Sequence, residues 1–283
     1  MALLQTGIAK STADDYTIDQ SLRFEDGDSA YLSRTPSVAS NRKTWSLSFW
    51  RKQESGSNTE PVLTCGSWSG GLTSVYFNSG GALSVVDYSS SAFNVQVYTD
   101  AKYRDPSAWS HYLVVFDSSN ATSTDRVRMY KDGVRETIDP TRDTMPSQDF
   151  DSEINTAALH MIGRDGSASS DYGRGYLAEM HFLDGTALTN ASSFGEEDST
   201  TGQWKPIEVT GLNYGINGFY QKYNNTALAT SFADSAETNI TAFTSSGSWT
   251  APEGVTSVEY LVVGGGGGGG GADGGNYGGG GGG

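Results

Sequence analysis

Asp149, Asp151 and Glu153 stand at alternate positions. That spacing would set carboxyl groups on one strand face, and a pair about 5 Å apart could run a retaining glycosidase reaction, one as nucleophile and one as general acid. The surrounding Pro146-Ser147-Gln148-Asp149-Phe150-Asp151-Ser152-Glu153 lacks the apolar alternation of a buried strand, so a solvated loop is expected. His111, His160 and His181 fall inside strand-like stretches, where a partly buried, hydrogen-bonded imidazole is the ordinary case, and no G-x-S-x-G elbow is present. Cys65 beside Gly66 reads as a small core residue. The run Gly264–Gly271 lacks the G-K-[ST] ending of a phosphate loop. No residue is assigned a catalytic role, and a binding protein is expected rather than an enzyme.

Non-covalent recognition is better supplied. Sugar rings are held on exposed aromatic faces, with amide or carboxylate groups nearby for the hydroxyls. Trp68, Tyr88, Tyr98 and Tyr103 sit in or beside Gly/Ser-rich, loop-like stretches, with Asn78, Asp87, Asn94 and Asp100 close in the chain. Trp68, Tyr88, Tyr98, Tyr103 and Asn94 form the candidate ligand-binding set; the competing reading makes these aromatics core or edge cover. Asp165 and Asp171 flank a Gly/Ser loop and bear oxygens of the kind Ca2+ prefers, though no stretch matches an EF-hand loop.

These side chains must be positioned by short strands. Thirty-seven glycines, fifteen tyrosines and abundant Ser and Thr, without long helix-forming runs, predict strands separated by turns. Trp45-Ser46-Leu47-Ser48-Phe49-Trp50 alternates apolar residues with Ser, the period of a strand with one buried face. His111 to Phe116 is almost continuously apolar, as in a strand buried on both faces or central in a sandwich. Val127 to Tyr130, then Asp132-Gly133 and Val134, reads as strand, turn and strand. Further strands are expected at Val62–Cys65, Val75–Phe77, Leu83–Val86, Val95–Tyr98, Leu159–Ile162 and Tyr176–Leu183. Turn residues between them give the spacing of an all-β antiparallel β-sandwich or jelly roll, and no convincing helical period precedes Thr189.

Length and charge bound the rest. The 283 residues allow one large β domain and something smaller, and a single cysteine cannot form an internal disulfide. The formal charge of −15, from 33 acidic against 18 basic residues, repels phosphate backbones and argues against nucleic acid. Met1 to Ala30 show no signal-peptide pattern, and no apolar run reaches the roughly 18 residues of a membrane span. The organisation expected is an N-terminal extension over 1–19, the jelly roll over 20–190, a connector over 191–240, a small β unit over 241–263 and a glycine-rich segment over 264–283. The glycine-rich composition is expected to continue past Gly283 in the native protein.

Several motifs in order resemble the laminin-G-like, concanavalin-A-like jelly-roll family. They are D-G-x-x-x-Y-L at Asp26 to Leu32, W-x-x-S-F-W-x-K at Trp45 to Lys52, W-x-H-x-x-V-x-F-D at Trp109 to Asp117 and V-R-x-Y-x-D-G-V at Val127 to Val134. Ile162-Gly163-Arg164 and the stretch from Gly175 to Thr189 close the pattern, with Ala178 where many relatives carry Asp before Glu179. The resemblance implies a concanavalin-A-like jelly roll, and it implies that Asp26, Asp28 and Asp117 lie where relatives sometimes hold Ca2+. An acidic turn without an ion is the competing reading.

Other stretches are similar to structural proteins of tailed bacteriophages, marine ones especially. These are the S-L-R-F and Y-L-S-R-T-P opening, F-G-E-x-D-S-T-T-G-x-W-K-P, and Y-G-x-N-G-F-Y. The segment Phe243 to Gly267 resembles the entry to glycine-rich domains of phage tail fibres. The resemblance implies a virion protein of the phage tail and a homotrimer; other tail proteins and a host cell-surface glycan are the expected partners, and the lack of a long apolar run predicts no insertion into a membrane. The alternatives are a purely structural decorating subunit and a polysaccharide-degrading glycoside hydrolase of concanavalin-like fold.

Overall fold

The computed structural model describes residues 16–54, 58–166 and 171–223. The small β unit expected over 241–263 and the glycine-rich segment 264–283 lie outside the described residues. Apart from two short 3-10 turns, Asp26–Asp28 and Ser123–Asp125, the regular elements of the described residues are strands. Among the described residues no helix is long and apolar enough to cross a membrane.

The strands are β1 (Leu22–Phe24), β2 (Leu32–Arg34), β3 (Thr44–Lys52), β4 (Glu60–Ser67), β5 (Gly71–Phe77), β6 (Leu83–Ser89), β7 (Ala92–Thr99) and β8 (Trp109–Asp117). After them come β9 (Val127–Lys131), β10 (Val134–Arg135), β11 (Ile138–Thr144), β12 (His160–Ile162), β13 (Gly175–Asp184), β14 (Gly195–Glu197), β15 (Trp204–Pro206) and β16 (Phe219–Gln221). The first sheet has the order β1-β13-β3-β8-β9-β10, with β16 also pairing β13; the second runs β11-β7-β6-β5-β4-β12-β2. A separate two-stranded ribbon joins β14 to β15, and every pairing is antiparallel. This is the jelly-roll sandwich that the turn spacing predicts.

The core lies between the sheets because alternate positions of each strand are large and apolar. Trp45, Leu47, Phe49, Val114, Phe116, Met129 and Phe182 from the first sheet meet Leu63, Val75, Phe77, Leu83, Val85, Val95 and Val97 from the second. Trp45 stacks on Phe116 at 5.1 Å, and Phe49 meets Phe77 edge-on at 6.4 Å across the layers. Burying each such side chain contributes about 1.5–3 kcal/mol.

One expectation is corrected here. The alternation in β3 predicts a solvated serine face, yet Ser46 and Ser48 are buried. The chain beyond β13 folds back over this outer face, so that Leu113, Val115, Tyr130 and Leu183 of the sheet meet Ala191 and Phe194 in a second apolar layer, with Trp204, Leu212 and Tyr214 against it. Burial of two hydroxyls is tolerated because both are bonded. Ser46 Oγ donates to the Thr186 carbonyl at 2.7 Å and accepts from the Leu188 N–H at 3.0 Å, while Ser48 Oγ lies 2.8 Å from His111 Nε2. The near-continuous apolar run of β8 fits the same double coverage.

The Asp132-Gly133 turn joins β9 to β10 with φ of 47° and 81°, the left-handed pair that a tight hairpin requires. Glycine is doubly needed there, since a Cβ on Gly133 would meet the Trp204 ring at 2.4 Å.

Candidate functional site

Two neighbouring hairpins of the second sheet, β4–β5 and β6–β7, bring most of the candidate aromatics together. Cross-strand register sets Ser67 opposite Gly71, Leu72 opposite Tyr88, and Tyr88 opposite Phe93. The first turn is closed by the Gly70 N–H donating to the Ser67 carbonyl at 3.1 Å; the second turns through Ser90 and Ser91 at φ of 52° and 64°. Tyr88 then lies 5.2 Å from Trp68 and 5.1 Å from Phe93, and Trp68 meets Phe93 edge-on at 6.3 Å. Phe93 is 41% exposed, which is unusual for a phenyl ring this well neighboured.

A carboxylate joins this trio from a distant part of the chain. Trp68 Nε1 donates to Asp165 Oδ2 at 2.7 Å. Asp165 is only 6% exposed, and its Oδ1 is shut off from solvent. Burial pushes its carboxyl above the usual range, against hydrogen bonds from Trp68 and the Gly166 backbone, and the charge of Asp171 adds to the rise.

The face continues along the strands. Val95 and Val97 point into the core, so Gln96 and Tyr98 take the outer side, as does Tyr76 between the inward-facing Val75 and Phe77. Tyr76 and Tyr98 share a hydroxyl contact of 2.9 Å, with Gln96 Nε2 donating to Tyr98 at 3.4 Å. Tyr76 pairs near Ser84, four residues from the Leu72–Tyr88 pair, about 13 Å along the strand. Trp68, Tyr88, Phe93 and Asp165 thus form one end of a strip, and Tyr76, Gln96 and Tyr98 the other.

Asn94 and Tyr103 have other work. Asn94 Nδ2 donates to Asp87 Oδ1 at 3.0 Å and to Ser89 Oγ at 2.8 Å, bracing the β6–β7 turn from beside the aromatic trio. Tyr103 packs against Phe77 at 6.1 Å and Tyr112 at 5.2 Å, at the margin of the core and away from the strip. Phe93, Tyr76 and Gln96 are outer-face residues that the sequence reading passes over. The signal for Gln96 was present in the alternation of Val95 and Val97.

The acidic residues do not assemble. Asp26 is ion-paired with Arg174, whose hydrogen bond and charge hold its carboxyl below the usual range. Phe24 opposes Gly175, and Lys52 opposes both Tyr176 and Trp109, so Asp26 and Asp28 lie near the Trp109 end of β8. Asp117 ends β8 at the other side, eight residues away, or about 27 Å. There it accepts from Ser119 Oγ at 2.6 Å and Asn120 Nδ2 at 3.4 Å. Asp26 and Asp28 therefore cannot share an ion with Asp117, and among the described residues no group of three metal-capable side chains occurs.

Asp149, Asp151 and Glu153 lie outside any strand. Asp149 faces Lys43 at 3.5 Å and Glu153 faces Arg42 at 3.5 Å, side chains that remain partly exposed. Ser48 and His111 have the contact of a nucleophile and its base, but both are buried and the second ring nitrogen of His111 has no partner. Burial lowers the His111 pKa to about 3. His181 stacks on Tyr220 at 4.0 Å and shares a 2.7 Å contact with the Tyr214 hydroxyl. These imidazoles pack the covering layer to the first sheet, where no substrate reaches them.

Comparison with known proteins comes down to the jelly roll. The family profile for the concanavalin A-like lectin/glucanases superfamily matches residues 26–192. No curated protein matches the chain. Among solved structures, the heptameric SAP-like pentraxin from Limulus polyphemus is similar at 16% identity and a TM-score of 0.40, covering 56% of this chain and 71% of that one. Domains LG4-5 of the mouse laminin alpha1 chain align at 9% identity and a TM-score of 0.41, covering 76% of this chain and 52% of the laminin fragment, so the protein spans about half of that fragment's length. Domain 4 of an extracellular arabinanase from Geobacillus stearothermophilus, in complex with arabinotriose, aligns at 16% identity and a TM-score of 0.41, covering 62% and 82%.

Proposed function

The chain belongs to the concanavalin A-like lectin/glucanases superfamily, and from that membership we propose that its jelly roll is a carbohydrate-binding module whose site is the outer strip of the second sheet. One observation carries the reading: three aromatic rings lie within 6.3 Å of one another on the outer side of the second sheet, with Phe93 41% exposed. Sugars present C–H faces that pack on aromatic rings and hydroxyls that need acceptors. Phe93, Trp68 and Tyr88 offer the first, with Trp68 held in place by its hydrogen bond to Asp165. Gln96 and the Tyr76–Tyr98 hydroxyls extend polar contact along the strand for a further ring.

Binding is proposed rather than bond cleavage, because the alternating carboxylates Asp149, Asp151 and Glu153 are loop residues and two of them face cations. The proposed setting is the tail fibre of a bacteriophage, on the strength of the phage-like stretches around the jelly roll, with host cell-surface glycan and neighbouring tail proteins as partners. An exposed aromatic stack is worth only about 0.5–1.5 kcal/mol beyond area burial. A homotrimer would raise avidity by presenting several weak sites together.

The test is glycan-array and whole-cell binding with the intact chain, alongside Trp68→Ala and Asp165→Ala, and immunogold labelling of purified particles. Binding that both substitutions weaken at least tenfold, with label on the tail, is expected. Absence of binding to any glycan or host cell defeats the recognition reading, and unlabelled particles defeat the virion reading.

A further inference from the structure

A second recognition element lies on the first sheet, where the covering layer stops. Phe194 and Trp204 reach His111 of β8, at 5.7 and 6.1 Å between ring centres, and His111 opposes the buried Trp50. Two residues back along β8, Trp109 is 39% exposed. Register puts Trp109 opposite Lys52, Lys52 opposite Tyr176 and Tyr176 opposite Arg23, so one row crosses β8, β3, β13 and β1. Directly opposed residues share a face of the sheet. Here it is the outer face, because the chain neighbours Phe24, Arg51 and Leu177 point between the sheets.

The row alternates cation and ring: Arg23, Tyr176, Lys52, Trp109. Adjacent strands lie about 4.8 Å apart, so the two cations are about 10 Å from one another and the row is about 14 Å long. The rings of Trp109 and Tyr176, on strands two apart, have centres only 6.3 Å from each other and meet at 61°, so both lean toward the Lys52 position between them. Lys52 enters none of the ion pairs formed among the described residues. Arg23 is paired with Glu25 at 2.6 Å and Glu54 at 3.4 Å, through side chains 36–51% exposed. Exposed pairs of this kind contribute little, and a competing carboxylate displaces them readily. In a chain of net charge −15, the row sets two basic side chains beside two rings with no acidic residue among its four positions.

We propose that this row binds a linear acidic saccharide, with carboxylates on Lys52 and Arg23 and the C–H faces of its sugar rings on Trp109 and Tyr176. Carboxylates form charge-assisted hydrogen bonds with both cations, and exposed aromatic faces take the apolar side of a pyranose. An acidic peptide would meet the cations equally well and leave the rings unused. The row stands on the opposite sheet from the strip around Trp68, so the two sites are separable by mutation.

Trigalacturonate and a sialic acid trimer are the probes, each with its methyl ester as a neutral control and polyglutamate as an acidic chain without sugar rings. Titration of the intact chain by calorimetry is expected to show one of the two acidic trimers binding, its ester and polyglutamate at least fivefold more weakly. Lys52→Gln and Trp109→Ala should each weaken that trimer at least fivefold, Lys52→Arg should restore it, and Trp68→Ala should leave it unchanged. Failure of both trimers to bind, equal affinity for the ester or for polyglutamate, full binding by Lys52→Gln, or loss in Trp68→Ala would each overturn the proposal. Should Trp109→Ala not fold, the surface exchange Lys52→Gln and the probe series on the unaltered chain still decide. Loss of the Trp68 strip's own glycan binding leaves these outcomes untouched.

Discussion

Arg51 of β3 and Glu60 of β4 meet between the two sheets as an ion pair in which each side chain is 4% exposed, with the guanidinium carbon 3.9 Å from the centre of the Phe77 ring. Burial outweighs the Arg51 charge and hydrogen bond at Glu60 and holds its carboxyl above the usual range. The pair cross-links the layers, yet its desolvation cost offsets much of the attraction, and removing one partner leaves a buried charge uncompensated.

Glu60→Ala is therefore expected to destabilise the fold by about 3–5 kcal/mol. The double replacement Arg51→Met with Glu60→Leu should cost clearly less than Glu60→Ala alone. Urea denaturation of the three proteins reads the difference, and a double variant as unstable as the single one would mean that the pair itself contributes net stability.

Acidification should weaken the fold through its histidines. Burial lowers the pKa of His111 to about 3, with the charge of His181 adding to the fall, and burial also lowers His160 and His181. Below an unfolded value of about 6.5 the unfolded chain binds protons that the folded one refuses, so stability is full above that pH and declines as pH falls from there toward the folded values. Each such group contributes a slope of up to about 1.4 kcal/mol per pH unit. Glu60, Asp87 and Asp165 act in the opposite sense, since their raised values favour the folded state at low pH. Comparing the parent with His111→Gln isolates one histidine: between pH 7.5 and 5 the variant should lose less stability than the parent. Parallel urea midpoints across that range would count against it.

Much of the fold is legible in the chain. Strands β3, β8, β12 and β13 and the Asp132-Gly133 hairpin announce themselves through alternation, apolar runs and turn chemistry, all of which are local. Strand β11 does not, because Ile138-Asp139-Pro140-Thr141-Arg142-Asp143-Thr144 is polar and carries a proline. It becomes a strand only at the sheet edge, with a register shift against β7, where proline's missing donor is tolerated. The serine face of β3 was misleading for the converse reason: its cover comes from residues beyond β13, which no pattern within β3 encodes. At the strip, Trp68 and Tyr88 are visible as loop-edge aromatics, but the Asp165 contact to Trp68 bridges 97 positions and has no sequence signature.

That distant contact makes the strip separable from the core by mutation. Trp68→Ala removes a ring and frees Asp165, so glycan affinity should fall at least tenfold. Tyr103→Phe alters a ring at the core margin and should leave affinity unchanged. Titrating both variants with a glycan retained by the parent decides the matter, and equal losses would move the site away from the strip.

Calcium should matter little to Asp26, Asp28 and Asp117. A bound ion stabilises the native state by mass action, in proportion to the logarithm of its concentration over Kd. Tight sites need several oxygens converging on one point. Asp26 is ion-paired with Arg174, and Asp117 is at the opposite end of β8 in contact with Ser119 and Asn120. Neither carboxylate is placed to join the other. The thermal midpoint should accordingly be the same in chelator and in millimolar Ca2+. Arg174→Ala tests whether the pairing is what keeps Asp26 from an ion: with no group of three metal-capable side chains among the described residues, the variant's midpoint should stay equally indifferent. A calcium-dependent rise in the parent, abolished by Asp26→Asn, would restore the ion-binding reading of that turn.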